Sequence, residues 1–379
     1  MVYGDKHYFS LLVKPVSADC NMECSYCFYL KNEDLYPSSK HHKMSYKVLD
    51  KLVYKYMNTE QIKYVFGWQG GEPTLLGLDF FQNVIELQMK YAKAGAVVSN
   101  GLQTNATIIN NKFAEHLAKY KYLVGVSLDG PEYLHNHYRR LKNKKGSFSK
   151  VLHTINILKD KNVEFNILTL VNNINIMEPE KIYDFLKSLD LNYHQYIPCI
   201  EYDDNGNLID YSVNGRDWGN FLIKIFNKWY PDDIFRVSIR LFDSIMNFLL
   251  YERPNNCQMF EKCNQYLVVE YNGDVYPCDF YVRKDLKIGN IMENSWDEII
   301  DSTTYKEFIK LKSNYNIMCS SCKYLNLCCG DCLKYRYDKK KNNPKNLSIL
   351  CPGLKLFYDY SLPFFRQIVN KMILEKHKI

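Results

Sequence analysis

The chain has 379 residues, 46% of them hydrophobic and 24% charged, with a net charge of +7. This length suggests two or three domains, or one large barrel with an appendage, and the apolar content excludes global disorder. No apolar run approaches the ~20 residues that cross a bilayer, and the opening Met-Val-Tyr-Gly-Asp-Lys lacks a signal-peptide core. A cytoplasmic protein without membrane association is therefore expected. The lysine-rich stretches at Lys142–Lys145 and Lys339–Lys341 read as solvated loops, not as a nucleic-acid patch. There are 13 cysteines. An odd number in a cytoplasmic chain argues for metal ligation or redox chemistry over disulfides.

In chain order, short segments rich in β-branched and aromatic residues predict strands at Ser10–Lys14, Lys63–Trp68, Val97–Thr104, Leu123–Leu128, Glu164–Val171 and Tyr193–Ile200. Helical patterns separate them. Ser45 reads as an N-cap, with Leu49, Leu52, Val53 and Tyr56 following at helical spacing. Asn110–Tyr120, Phe148–Lys161 and Glu178–Leu189 read similarly. Six alternations predict a parallel α/β sheet. They are too few for an eight-fold barrel, so a partial (βα)6 TIM-like barrel is expected, with its chemistry at the carboxyl ends of the strands. An aromatic-rich helical stretch spans Trp218–Leu250, and Arg253–Asn256 reads as a linker. Beyond it the clearest element is a hairpin at Tyr266–Tyr281 turning at Asn272-Gly273. The expected domains are the barrel at 1–235, a connection at 236–256, and a cysteine-rich domain at 257–379 ending in a helix. A cysteine-dense segment with little periodicity is expected to be held together by metal.

The cysteines fall in two blocks. Cys20-x3-Cys24-x2-Cys27 follows the first strand and supplies three thiolates from one loop. A structural zinc site takes four ligands. A [4Fe–4S] cluster on three cysteines leaves one iron open to a substrate or cofactor, and soft thiolates suit iron–sulfur chemistry. A zinc loop borrowing a distant ligand is the plainer alternative. Tyr26 precedes the last cysteine, and CxxxCxxC with an aromatic residue there resembles the radical S-adenosylmethionine (SAM) superfamily. Gln69-Gly70-Gly71-Glu72-Pro73, after the second strand, is similar to that family's GGEP segment. The resemblance implies SAM contacts from Tyr26, Gly71, Ser127, Arg139 and Ile200, with Asp129 beside the ribose position.

The second block has the spacing C-x9-G-x4-C from Cys263 through Gly273 to Cys278. It continues as Cys319-x2-Cys322-x5-Cys328-x3-Cys332 and ends at Cys351. This resembles the SPASM domain, with Cys257 as an eighth thiolate. The resemblance implies two auxiliary [4Fe–4S] clusters, three clusters in all. One would sit on Cys257, Cys263, Cys278 and Cys332, the other on Cys319, Cys322, Cys328 and Cys351. Cys199 then reads as a packed apolar residue, and Cys329 as a neighbour that spacing alone does not separate from Cys328. A zinc-ribbon binding module is the competing reading, distinguishable by metal content.

Tyr276-Pro277-Cys278-Asp279-Phe280-Tyr281 resembles a segment of the anaerobic sulfatase-maturating enzymes. Cys27-Phe28-Tyr29, Gln69–Pro73, Leu102–Asn105, Phe165–Leu168 and Ser238–Asp243 extend that likeness along most of the chain. It implies oxidation of a Cys or Ser in a sulfatase C/S-x-P-x-R segment to Cα-formylglycine through a 5′-deoxyadenosyl radical. An electron donor such as flavodoxin or ferredoxin is implied as a further partner. Asp279 is the expected base. Tyr29, Gln69, Gln103 and Asn105 are expected around the substrate. The runner-up is another SPASM peptide maturase, such as one that crosslinks ribosomal peptides. Many of those carry a preceding recognition domain, for which Cys20 is expected to lie too early.

Overall fold

The structure is a computed structural model and describes residues 8–29, 35–36, 41–203, 205–336 and 346–376. Met1–His7 and the lysine run at 339–341 lie outside the described residues. The strands are β1 (Ser10–Lys14), β2 (Lys63–Trp68), β3 (Val97–Thr104), β4 (Leu123–Ser127), β5 (Phe165–Val171), β6 (Tyr193–Pro198), β7 (Ser238–Ile239), β8 (Tyr266–Glu270), β9 (Asp274–Tyr276) and β10 (Gly289–Asn290). They divide between two compact units. One comprises residues 1–127, 136–165 and 263–310; the other comprises 128–135, 166–262 and 311–379.

In the first unit the strand order is β10-β9-β8-β1-β2-β3-β4. The β1–β2, β2–β3, β3–β4 and β1–β8 pairings are parallel; β8–β9 and β9–β10 are antiparallel. Helices at Tyr46–Met57, Gly77–Tyr91 and Asn111–Lys119 alternate with the first four strands. The Ser45 and Asn110 side chains accept hydrogen bonds from Val48 and Phe113 N–H, which satisfies first-turn donors as the sequence predicts. Alternate residues Tyr64, Phe66 and Trp68 of β2 are buried.

The second unit carries β5, β6 and β7, paired in parallel. Its helix Gly215–Trp229 packs on the C-terminal helix Cys351–Lys376. Gly353 permits this approach: a Cβ there would lie 1.7 Å from the Gly215 carbonyl oxygen. Phe226 meets Phe242 and Phe365 at centroid distances of 5.7 and 5.1 Å, anchoring an aromatic core. No helix among the described residues is long and apolar enough to cross a membrane.

The hairpin at β8 and β9 forms as expected, but it belongs to the first unit, so the compact units are discontinuous in sequence. β8 pairs with β1 from Ser10↔Tyr266 to Lys14↔Glu270. Leu267, Val268 and Val269 are all fully buried, the continuous apolar run of a strand covered on both faces.

Candidate active site

Within the first unit, the carboxyl ends of β1, β2 and β8 gather a group of buried polar side chains. Lys14 ends β1 and Glu270 ends β8, opposite each other in register, and both are fully buried. Tyr29, from the cysteine loop, donates its hydroxyl to Glu270 Oε1. The Lys14 ammonium stands 3.8 Å from the centroid of the Tyr29 ring and ion-pairs with Asp279 Oδ1. Gln69, just past β2, donates to Asp279 Oδ2 at 3.0 Å. The Asp279 carboxylate is thus held by one partner on each oxygen. Burial pushes the Glu270 carboxyl above its usual range, against the Tyr29 hydrogen bond and the Lys14 charge. Three sequence-derived residues, Tyr29, Gln69 and Asp279, therefore meet in one cluster. Lys14 and Glu270 were not anticipated. Each is a charged residue closing an otherwise apolar strand, and that is the signal that marks them.

The cysteine loop is fixed from several sides. The backbone N–H of Cys27 bonds to the Cys24 carbonyl at 2.9 Å. Phe28 packs against Phe280 at 5.0 Å, and Cys27 lies against a core that includes Tyr276 and Val282, so the loop and the Asp279 segment share packing. Gly71 has φ +50, and a Cβ on it would lie 2.0 Å from the Asp19 carbonyl oxygen. Glycine is required here first by the chain itself, which closes on the residue before Cys20. Asp19 also accepts from His42 N and pairs with His42 Nδ1 at 2.8 and 2.9 Å. Glu72 is buried and accepts from Thr74 Oγ1, Thr104 Oγ1 and Asn105 N–H, so it ties these loops together. Asn105 donates to Asn21 Oδ1 at 2.8 Å and to Cys20 Sγ at 3.5 Å. Asn105, expected beside the substrate, braces the cysteine loop through these amide contacts. Gln103, expected there too, donates to Ser127 Oγ at 3.2 Å and sets that hydroxyl. The Arg139 guanidinium lies 5.5 Å from the Tyr26 ring centroid. Ile200 and Cys199 are buried in the second unit.

In the second unit, Cys319, Cys322, Cys328 and Cys351 line one cavity with Tyr324 and Tyr358. Cys329 is not among its lining residues and adopts the left-handed conformation, φ 46. In the first unit Cys263 and Cys278 are close enough to interact electrostatically; burial is the main reason the Cys278 thiol is pushed up to about 12. Burial together with Glu72 pushes the Cys20 thiol up to about 11. Among the described residues no three His, Cys, Asp or Glu groups converge closely enough to share a single ion. A cavity lined by four cysteines offers the thiolate set that a multi-iron cluster takes, its thiolates binding different irons.

Fold and cysteine pattern together define a radical SAM protein with a SPASM domain. Residues 15–186 match the Radical SAM superfamily, and residues 257–323 match an iron–sulfur cluster-binding domain. The cysteine-type anaerobic sulfatase-maturating enzyme of Clostridium novyi is 37% identical, over 97% of this chain and 99% of its own. The serine-type enzyme of Bacteroides thetaiotaomicron is 36% identical, over 93% and 89%. The solved structure of native anSMEcpe with bound AdoMet and Cp18Cys peptide superimposes with a TM-score of 0.89 at 36% identity, covering 96% of this chain and 99% of that one. Streptococcus suis SuiB bound to precursor peptide SuiA, at 16% identity and a TM-score of 0.65, shares the fold alone. The chain belongs to the anaerobic sulfatase-maturating enzymes.

Proposed function

We propose that this chain oxidises a Cys or Ser side chain in a C/S-x-P-x-R segment of a sulfatase to Cα-formylglycine, with Asp279 as the base. The observation that carries this reading is the group of buried Lys14, Tyr29 and Asp279 with half-buried Gln69 at the strand ends, beside the three-cysteine loop. Cys20, Cys24 and Cys27 would hold one [4Fe–4S] cluster, with SAM contacts from Tyr26, Gly71, Ser127, Arg139 and Ile200. Cys257, Cys263, Cys278 and Cys332 would hold a second cluster, and Cys319, Cys322, Cys328 and Cys351 a third. When bound, the first cluster and SAM supply a 5′-deoxyadenosyl radical able to take a hydrogen from Cβ of the target residue.

The chain's own residues do the rest. Asp279 accepts the proton of the substrate thiol or hydroxyl. Lys14 and Gln69 fix its two oxygens so that the proton is met at a set position. Tyr29, held by Glu270, presents an aromatic face beside the reacting group. Removal of one hydrogen atom, one proton and one further electron completes a two-electron oxidation, which gives the aldehyde directly from Ser and a thioaldehyde from Cys; water hydrolyses the thioaldehyde to the aldehyde and releases hydrogen sulfide. An electron donor of the flavodoxin or ferredoxin class would supply the electron for SAM cleavage, and the auxiliary clusters would offer the last electron a route out. Anaerobic co-expression with an immature sulfatase tests the reading. Sulfatase activity appears with the wild-type chain and is absent with Cys24→Ala; activity that is independent of Cys24 would refute it.

A further inference from the structure

Away from that site, the second unit buries two cations, Lys312 at 0% and Arg336 at 6% exposure. Both are hydrogen-bonded to carbonyl oxygens. Lys312 Nζ donates to the Gln258 carbonyl at 2.9 Å and the Asp331 carbonyl at 2.6 Å. Arg336 donates to the carbonyls of Gly330 (2.6 Å), Lys312 (2.7 Å), Cys329 (2.7 Å) and Asp331 (2.9 Å). Gln258 follows Cys257 and Asp331 precedes Cys332, so the Lys312 ammonium ties together two cysteine segments. Cys329, Gly330 and Asp331 all have positive φ, at 46, 66 and 65. Two of the three are not glycine, so this loop is conformationally costly and needs external restraint. It carries Cys328 at one end and Cys332 at the other.

Among the described residues the local charge does not balance. Asp331 is the buried carboxylate of this region, and it accepts from Ser348 at 2.6 Å. Two buried cations therefore face one buried carboxylate. Leaving a buried charge uncompensated costs several kcal/mol. Thiolate-ligated iron–sulfur clusters are anionic and would supply the missing negative charge. Lys312 lies close enough to Cys257 and Cys328, and Arg336 to Cys319, to interact with them electrostatically.

We infer that Lys312 is the built-in counter-charge of the auxiliary clusters and raises their reduction potentials. This rests on the assignment of Cys257, Cys328 and Cys332 as cluster ligands. A fixed positive charge beside a cluster stabilises the state with the added electron. Losing it moves the potential to more negative values, and the auxiliary clusters become poorer acceptors for the electron left after hydrogen abstraction.

The test uses the full-length chain carrying Cys20→Ala, Cys24→Ala and Cys27→Ala, so that only auxiliary iron reports. Redox titration followed by electron paramagnetic resonance compares this parent with added Lys312→Gln and Lys312→Arg. Lys312→Gln is expected to lower the reduced-to-oxidised ratio at the parent's midpoint about tenfold, a shift of about 59 mV for a one-electron couple. Lys312→Arg is expected to stay near the parent. Loss of iron from Lys312→Gln alone, with Lys312→Arg loaded, also supports a charge requirement. An iron-loaded Lys312→Gln protein with the parent's potential overturns the inference. So does Lys312→Arg losing iron or shifting as far as Lys312→Gln, since shape and not charge would then matter. A parent that binds no iron overturns the ligand assignment itself, and the inference with it.

Discussion

Asp279 is reached by no local signal beyond its place after Cys278; its setting comes from Lys14 at the end of a strand 265 positions earlier. Asp279→Asn keeps the size and removes the basicity. General bases contribute about 10²–10⁴-fold, so formylglycine formation should fall by about that factor while deoxyadenosine is still released. Product analysis of both species reads this uncoupling. The variant should remain folded, because Glu270 stays beside the buried Lys14 ammonium. Lys14→Met is the harsher change. It leaves Asp279 buried without its ion pair, and breaking such a pair typically costs about 3–5 kcal/mol; chemical denaturation should show a loss of that order. Sequence reasoning found Asp279 through the Tyr276–Tyr281 segment. It missed Lys14 and Glu270 because a charged residue at a strand end has no partner until β1 and β8 are seen side by side.

At the scale of elements, the loop after β1 depends on a backbone contact that only glycine allows. A Cβ on Gly71 would sit 2.0 Å from the Asp19 carbonyl oxygen. Gly71→Ala should displace the cysteine loop, and displacement of about 1 Å can cost about 10²-fold in rate. Reductive cleavage of SAM by the reconstituted variant measures it. The same loop is pinned by His42 on Asp19. Burial opposes the charged imidazole, but the Asp19 hydrogen bond prevails and raises the His42 pKa above the ordinary 6.5 of a histidine. A raised folded pKa means the pair's stabilisation is complete below pH 6.5 and is lost as pH rises through the folded value. Thermal unfolding across that range should show this loss in the wild type and not in His42→Gln. The first six strands were legible to within a residue or two, since each is a β-branched or aromatic run between turn residues. The parallel pairing of β8 with β1 was not, because hydrophobicity marks a buried strand without naming its neighbour.

Across the whole molecule, the proposed function divides the chemistry between the two cysteine blocks. Replacing Cys20, Cys24 and Cys27 together by Ala should abolish deoxyadenosine formation and leave about two-thirds of the iron, the outcome that the proposed three equal clusters call for; iron analysis and product chromatography read both. Helix packing in the second unit is equally sharp. Gly353→Ala forces a methyl group onto the Gly215 carbonyl and should destabilise the chain by about 1–3 kcal/mol. The cysteine spacing grouped Cys319, Cys322, Cys328 and Cys351, and these four line one cavity. The buried cations Lys312 and Arg336 gave no such pattern, since a lysine or arginine in a helical or irregular segment reads as solvent-exposed until its burial is seen. The most direct measurement is mass spectrometry of peptides with a C-x-P-x-R or S-x-P-x-R core after anaerobic incubation with SAM and reductant. The expected product carries an aldehyde in place of the thiol or hydroxyl, formed only with Cys20, Cys24 and Cys27 intact. A crosslinked peptide, or SAM cleavage with both peptides left unchanged, would contradict the assignment.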